Sequence, residues 1–236
     1  TSDALTVLFD GTTNVAGSVT ATAFIGDGSQ LTGLPTGGGS PFSLNATSGN
    51  GIQSNNNIAS GDKSTAMGWR TEAIGDESTA MGQNTEAIGS QSTAMGNYSK
   101  ASGNESTAMG SWTEAIGSRS TAMGMYTEAS GMASTAMGRY TEASGDYSTA
   151  MGQNPTASGN VSTAMGYSTT ASDFGSLVIG QYNSSGSSVT NSATIFDTAN
   201  TAFVIGNGTY GNTSDAFKVM FNGDTTIGND LTVSGD

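Results

Sequence analysis

The tetrad Thr-Ala-Met-Gly, first at Thr65–Gly68, returns every fourteen residues for eight unbroken copies. The methionines are Met67, Met81, Met95, Met109, Met123, Met137, Met151 and Met165, each followed by glycine. A second glycine series, Gly61, Gly75, Gly89, Gly103, Gly117, Gly131, Gly145 and Gly159, falls midway. A ninth copy, Leu177-Val178-Ile179-Gly180, keeps the phase with Ile179 in the methionine slot. A fixed period means stacked structural units, and fourteen residues is too short for a pair of helices. Thr and Ser favour extended backbone, and glycine ends each run. The repeat therefore predicts two short strands and two tight turns per coil. Each coil lies on the next, about 4.8 Å away.

Alternation along a strand assigns faces. Ser64, Ala66 and Gly68 share one side of the first strand, and Thr71, Ala73 and Gly75 one side of the second. These small residues can face each other only across a thin interior. Thr65 and Met67 then point outward on one sheet, and Glu72 and Ile74 on the other. A column of eight exposed methionines is an apolar stripe that a soluble monomer avoids. The expectation is that the eight methionines form a seam with the same stripe on sister chains. Full burial of each contributes roughly 1.5–3 kcal/mol. The alternative is that the methionines fill the interior of a monomeric roll.

Net charge is −13 and 35 of 236 residues are glycine, values that without the repeat would indicate disorder. Only six residues are Lys or Arg, so nucleic acid is not an expected partner. Cysteine and histidine are both absent, which excludes disulfides, Cys/His metal sites and thiol or imidazole chemistry. No cofactor is expected and no enzyme. No apolar run reaches the length of a membrane span.

The flanks carry a second, longer repeat. "TSDALTVLFDG" at Thr1 aligns without a gap with "TSDAFKVMFNG" at Thr213. Both read as strand, Asp-Gly or Asn-Gly turn, strand. The expected organisation is a β-rich stem over 1–34, a Gly/Pro/Ser linker and entry over 35–60, and the roll over 61–180. An irregular exit and last coil follow over 181–212. A stem over 213–236 repeats 1–24, so the chain is expected to be one module of a tandem array.

Alternating "STAMG" and "TEAIG" halves resemble the head repeats of trimeric autotransporter adhesins, the YadA-like heads. The resemblance covers about Ile58–Gly180. It implies an all-β, left-handed parallel β-roll with two short strands per 14-residue coil, assembled as a homotrimer. β-hairpin stem segments at both ends complete the expected fold. The resemblance also implies adhesion to a host matrix protein or cell. Here Met replaces the usual Ile or Val of the main strand. The flanks, "GSVTATAFIGDGSQLTGLP" and "AFVIGNGTYGNTSDAFKVMFNG", look instead like segments of tail-fibre-type proteins and large bacterial surface proteins. The expected function is a structural subunit of an extracellular trimeric fibre mediating surface attachment. The alternative is a phage or virus tail-fibre segment recognising a cell-surface glycan.

One turn column reads Arg70, Asn84, Tyr98, Trp112, Tyr126, Tyr140, Asn154, Ser168. Its four successive aromatics, Tyr98, Trp112, Tyr126 and Tyr140, form a candidate ligand ladder, since exposed ring faces suit sugars or apolar patches. The competing expectation is that the rings stack on each other or seal an inter-chain groove. The column Glu72, Glu86, Lys100, Glu114, Glu128, Glu142 reads as a solvated face rather than a catalytic pair.

Overall fold

A computed structural model describes residues 42–44, 52–54, 56–184, 186 and 193–229. The stem expected over 1–34, most of the linker and the last residues of the chain lie outside these. The described residues are all β, with no helix. Five-residue strands such as Thr65–Trp69, Thr79–Gln83 and Thr93–Asn97 alternate with two-residue strands such as Glu72–Ala73 and Glu86–Ala87. The long strands stack into one sheet and the short ones into another. Pairing is parallel and in register at an offset of fourteen residues, Met67 on Met81 and Glu72 on Glu86. The fold is a parallel β-solenoid of about nine coils.

Hydrogen bonds run along the stack. Strand amides donate forward, Thr65 N to Ser78 O at 2.8 Å and Glu72 N to Thr85 O at 2.8 Å. Turn amides donate backward, Glu77 N to Asp62 O at 2.7 Å and Tyr98 N to Gln83 O at 2.9 Å. Both turn columns hold a non-glycine residue at positive φ in every coil, from Lys63 and Arg70 to Val161 and Ser168. Each left-handed residue costs about 1–2 kcal/mol. The backward bond of its amide offsets that strain, which is why the column tolerates Glu, Tyr, Trp and even the β-branched Val161.

The interior is as thin as the alternation demands. The alanines from Ala66 to Ala164 and from Ala73 to Ala171 are fully buried, with Ser64 and Thr71 beside them. Gly68 departs from that pattern: it is exposed, at φ +130°. The strand kinks there to enter its turn, so strict alternation ends one residue early. Both glycine series are fixed by close approach. A methyl carbon on Gly68 would lie 1.9 Å from the carbonyl oxygen of Gly82, and one on Gly75 would lie 2.1 Å from that of Gly89.

The repeat is broken where neighbours change. Asn57 and Asn183 occupy the two ends of the interior Thr71 column. Asn57 Oδ1 accepts from Thr71 N at 2.8 Å, and its Nδ2 donates to Gly68 O at 2.9 Å. Asn183 Oδ1 accepts from Thr170 N at 2.7 Å, and its Nδ2 donates to Thr170 O at 2.9 Å. An amide side chain thus replaces the missing coil at each end. Asn183→Ala leaves Thr170 N–H without a partner and is expected to destabilise the last coils by about 1–3 kcal/mol. Amide hydrogen exchange should accelerate at Thr170 far more than at Thr113; equal rates would refute the capping role.

Asp173 ends the second glycine series after Gly159, and its Oδ2 accepts from Thr201 N at 2.8 Å. The chain between Gln181 and Thr201 is an insertion. The strand Thr201–Asn207 then rejoins the large sheet in parallel, with Ile205 on Ile179 and Val204 on Val178. Beyond it pairing turns antiparallel through Asp215–Met220 and Thr225–Ile227. Their hairpin has Gly223 at φ +93°, with Gly223 N donating to Met220 O at 3.0 Å and Met220 N to Asp224 O at 2.8 Å. This is a three-residue turn with glycine at the left-handed position. At the other end Phe42–Leu44 pairs antiparallel with Ile52–Ser54. Antiparallel pairs therefore close both ends of the large sheet.

Candidate functional site

The structure places the eight methionines on the outer side of the large sheet, because alanine takes every inward position between Thr and Met. Met67 through Met151 are half-buried and Met165 is exposed. Their Cα partners are one another in unbroken register, Met67 to Met165, and the column continues through Ile179 to Ile205. The threonines two residues earlier form a parallel half-buried column. The face is repetitive, a threonine column beside a methionine column.

The aromatic ladder lies on the turn leaving that sheet. Tyr98 and Trp112 stack with centroids 4.3 Å apart and planes 6° apart. Tyr126 and Tyr140 stack at 5.0 Å and 9°. Between the pairs, Trp112 and Tyr126 stand 6.1 Å apart at 14°. The guanidinium of Arg139 covers the outer face of the ladder's end, 4.9 Å from the Tyr140 centroid. The rings are nearly half exposed, but through their edges and tips. The faces turned towards one another within the Tyr98–Trp112 and Tyr126–Tyr140 pairs are closed to a ligand.

Across the turn from the ladder runs the glutamate column. Glu86 pairs with Lys100 at 3.2 Å. Glu114, Glu128 and Glu142 follow in register and are exposed. None of the six cationic side chains, all of which are described, stands within 4 Å of these three carboxylates. Two depressions lie between ladder and glutamates. One, of about 350 Å³, is lined by Arg70, Glu72, Asn84, Glu86 and Tyr98. The other, of about 200 Å³, is lined by Trp112, Glu114, Tyr126 and Glu128.

The opposite turn is a small charged network. Glu77 accepts a hydrogen bond from Gln91 Nε2 at 3.0 Å and pairs with Lys63 at 3.6 Å. The Gln91 bond and then the Lys63 charge hold the Glu77 carboxyl below its usual range. Its contribution is present above the unfolded value and lost as pH falls through the folded one. Exposure of about half the Glu77 side chain to solvent keeps that effect small. Among the described residues, no three acidic side chains are grouped to hold a metal ion, and no helix is long and apolar enough to cross a membrane.

A parallel solenoid of similar coils, with columns of like side chains on its outside, defines a repeat-built structural protein. The family model for the YadA head domain repeat matches residues 55–71, 73–99, 101–127, 129–154 and 157–183, more than half of the chain. The chain belongs to the YadA head repeat family. Adhesin domains of this kind are surface-exposed. A comparison with curated proteins gave no match.

Sequence reasoning found the columns and missed what happens between them. The end-capping asparagines were readable, since Asn57 and Asn183 are fourteen residues outside Thr71 and Thr169. The left-handed turn residues carried no signal, because their usual marker is glycine or asparagine and most are neither.

Proposed function

We propose that this chain is the head of an extracellular fibre subunit, assembled as a homotrimer along its methionine columns and serving surface attachment. One observation carries the reading. The interior is filled by alanine, serine and threonine, so among the described residues nothing packs over the Thr/Met face across eight successive coils. Family membership supports a trimeric, adhesin-type assembly. The hairpin at Asp215–Ile227 and its matching sequence at Thr1 support tandem modules along a fibre. A matrix protein or cell-surface glycan is the expected class of target.

Sedimentation equilibrium of the full chain at micromolar concentration tests the assembly. A mass of three chains is expected, and a well-folded monomer would overturn the proposal. Beads coated with the trimer should adhere to a cell layer more than beads coated with albumin. Equal adhesion would remove the attachment role while leaving the assembly in place.

A further inference from the structure

We propose that the groove between the aromatic ladder and the glutamate column is a docking site for a polypeptide segment bearing arginine side chains. The inference deepens the attachment reading by naming a ligand chemistry. It does not depend on the methionine seam.

Three observations converge on Trp112, Glu114, Tyr126 and Glu128. First, these residues line one depression, with the rings on one wall and the carboxylates on the other. Second, it sits where the ladder is most open, at the 6.1 Å step between Trp112 and Tyr126. Third, Glu114 and Glu128, like the next carboxylate Glu142, have no cation within ion-pair distance. Coil spacing of about 4.8 Å brings these like charges together along the stack. An added cation relieves their repulsion as well as pairing with them.

The chain's own cations show what each wall accepts. Arg139 lies over a ladder ring at 4.9 Å. Lys100 pairs with a glutamate of the same column at 3.2 Å. At Glu114 and Glu128 both walls are present and no Lys or Arg side chain pairs with either carboxylate, whereas at the next coil Arg139 already lies over Tyr140. A guanidinium suits this groove better than an ammonium. Its flat face stacks on Trp or Tyr while its edge pairs with a carboxylate in a fork. The faces within the two close pairs are taken by neighbours, and the offset 6.1 Å step leaves only part of the Trp112 and Tyr126 faces open, an area that suits a guanidinium better than a whole sugar ring. The net charge of −13 draws a basic segment towards the surface but cannot by itself select this groove.

The test uses the full chain and three fluorescent peptides of equal length, with arginine, lysine or glutamine spaced by Gly-Ser. Anisotropy is read at low and physiological salt. The arginine peptide is expected to bind most tightly, the lysine peptide several-fold more weakly, and the glutamine peptide not at all. The isosteric triple variant Glu114→Gln, Glu128→Gln, Glu142→Gln should lose at least tenfold in affinity. A control removes the same charge from the opposite turn: Asp62→Asn, Glu77→Gln, Glu105→Gln. It should lose less than twofold. Trp112→Asn with Tyr126→Asn uses a residue that this turn column already carries at Asn84 and Asn154. This variant should weaken arginine binding more than lysine binding. Equal losses in the two charge variants would overturn the site in favour of a diffuse field, and so would absence of arginine-peptide binding to the wild type. A trimer that binds no peptide would remove the groove and leave the assembly intact. A monomer that binds would do the reverse.

Discussion

Gly117→Ala is expected to abolish the cooperative fold of the roll. A methyl carbon at this position would lie 2.0 Å from the carbonyl oxygen of Gly131 and 2.5 Å from its carbon. Both atoms are backbone, so no rotamer change relieves the overlap. Relief requires the two coils to separate by more than 1 Å (a contact distance of about 3.3 Å is the closest ordinary approach of carbon and oxygen). The forward bonds of that step, Ile116 N to Ala129 O at 2.8 Å and Gly117 N to Ala129 O at 3.2 Å, would then break. A stack in which each coil contacts only its neighbours has no other route for cooperativity across the gap. The loss should be at least about 4 kcal/mol, the range reserved for overlaps and buried unpaired groups.

Gly211→Ala provides the contrast. Gly211 has φ +80° and nothing within 4 Å of the added carbon. Its cost is conformational only, about 1 kcal/mol. Urea unfolding followed by circular dichroism should show a small midpoint shift for Gly211→Ala and no folded baseline for Gly117→Ala. Similar midpoints for the two variants would contradict the close approach of the coils.

The second large effect concerns the proposed seam. Met109→Glu combined with Met123→Glu should convert the trimer to monomers at micromolar concentration. The two side chains are half-buried in the single chain, so association removes only the remaining apolar surface of each, worth about 1 kcal/mol. Repeated over three chains, that loss alone weakens assembly by several powers of ten. Each glutamate also brings a charge into an apolar seam, which costs further free energy. Ile116→Glu is the matched control, since Ile116 is 43 % exposed on the opposite sheet. It should sediment as the wild type does. An intact trimer in the double variant would move the interface elsewhere on the roll.

Much of the fold was legible because a strict period makes each residue type report eight times. Alternation within "STAMG" separated Ser and Ala from Thr and Met, and the inward alanines are fully buried. The same alternation misplaced Gly68, because a pattern of period two carries no information about where the strand must kink. The ladder was legible as a column at Tyr98, Trp112, Tyr126 and Tyr140. Its ring orientation was not, since stacking depends on the left-handed backbone that launches each ring along the stack.

The sequence by itself determined the coil length, the identity of the inward and outward columns, and the two glycine series. All are properties of one strand and one turn, repeated. Tertiary structure alone decided how neighbouring columns use each other. It turned the aromatic faces inward on one another, left three glutamates unpaired opposite their edges, and set Asn57, Asn183 and Asp173 against coil ends. The physical reason is that such contacts depend on side-chain direction and coil spacing in three dimensions, which a linear period cannot encode.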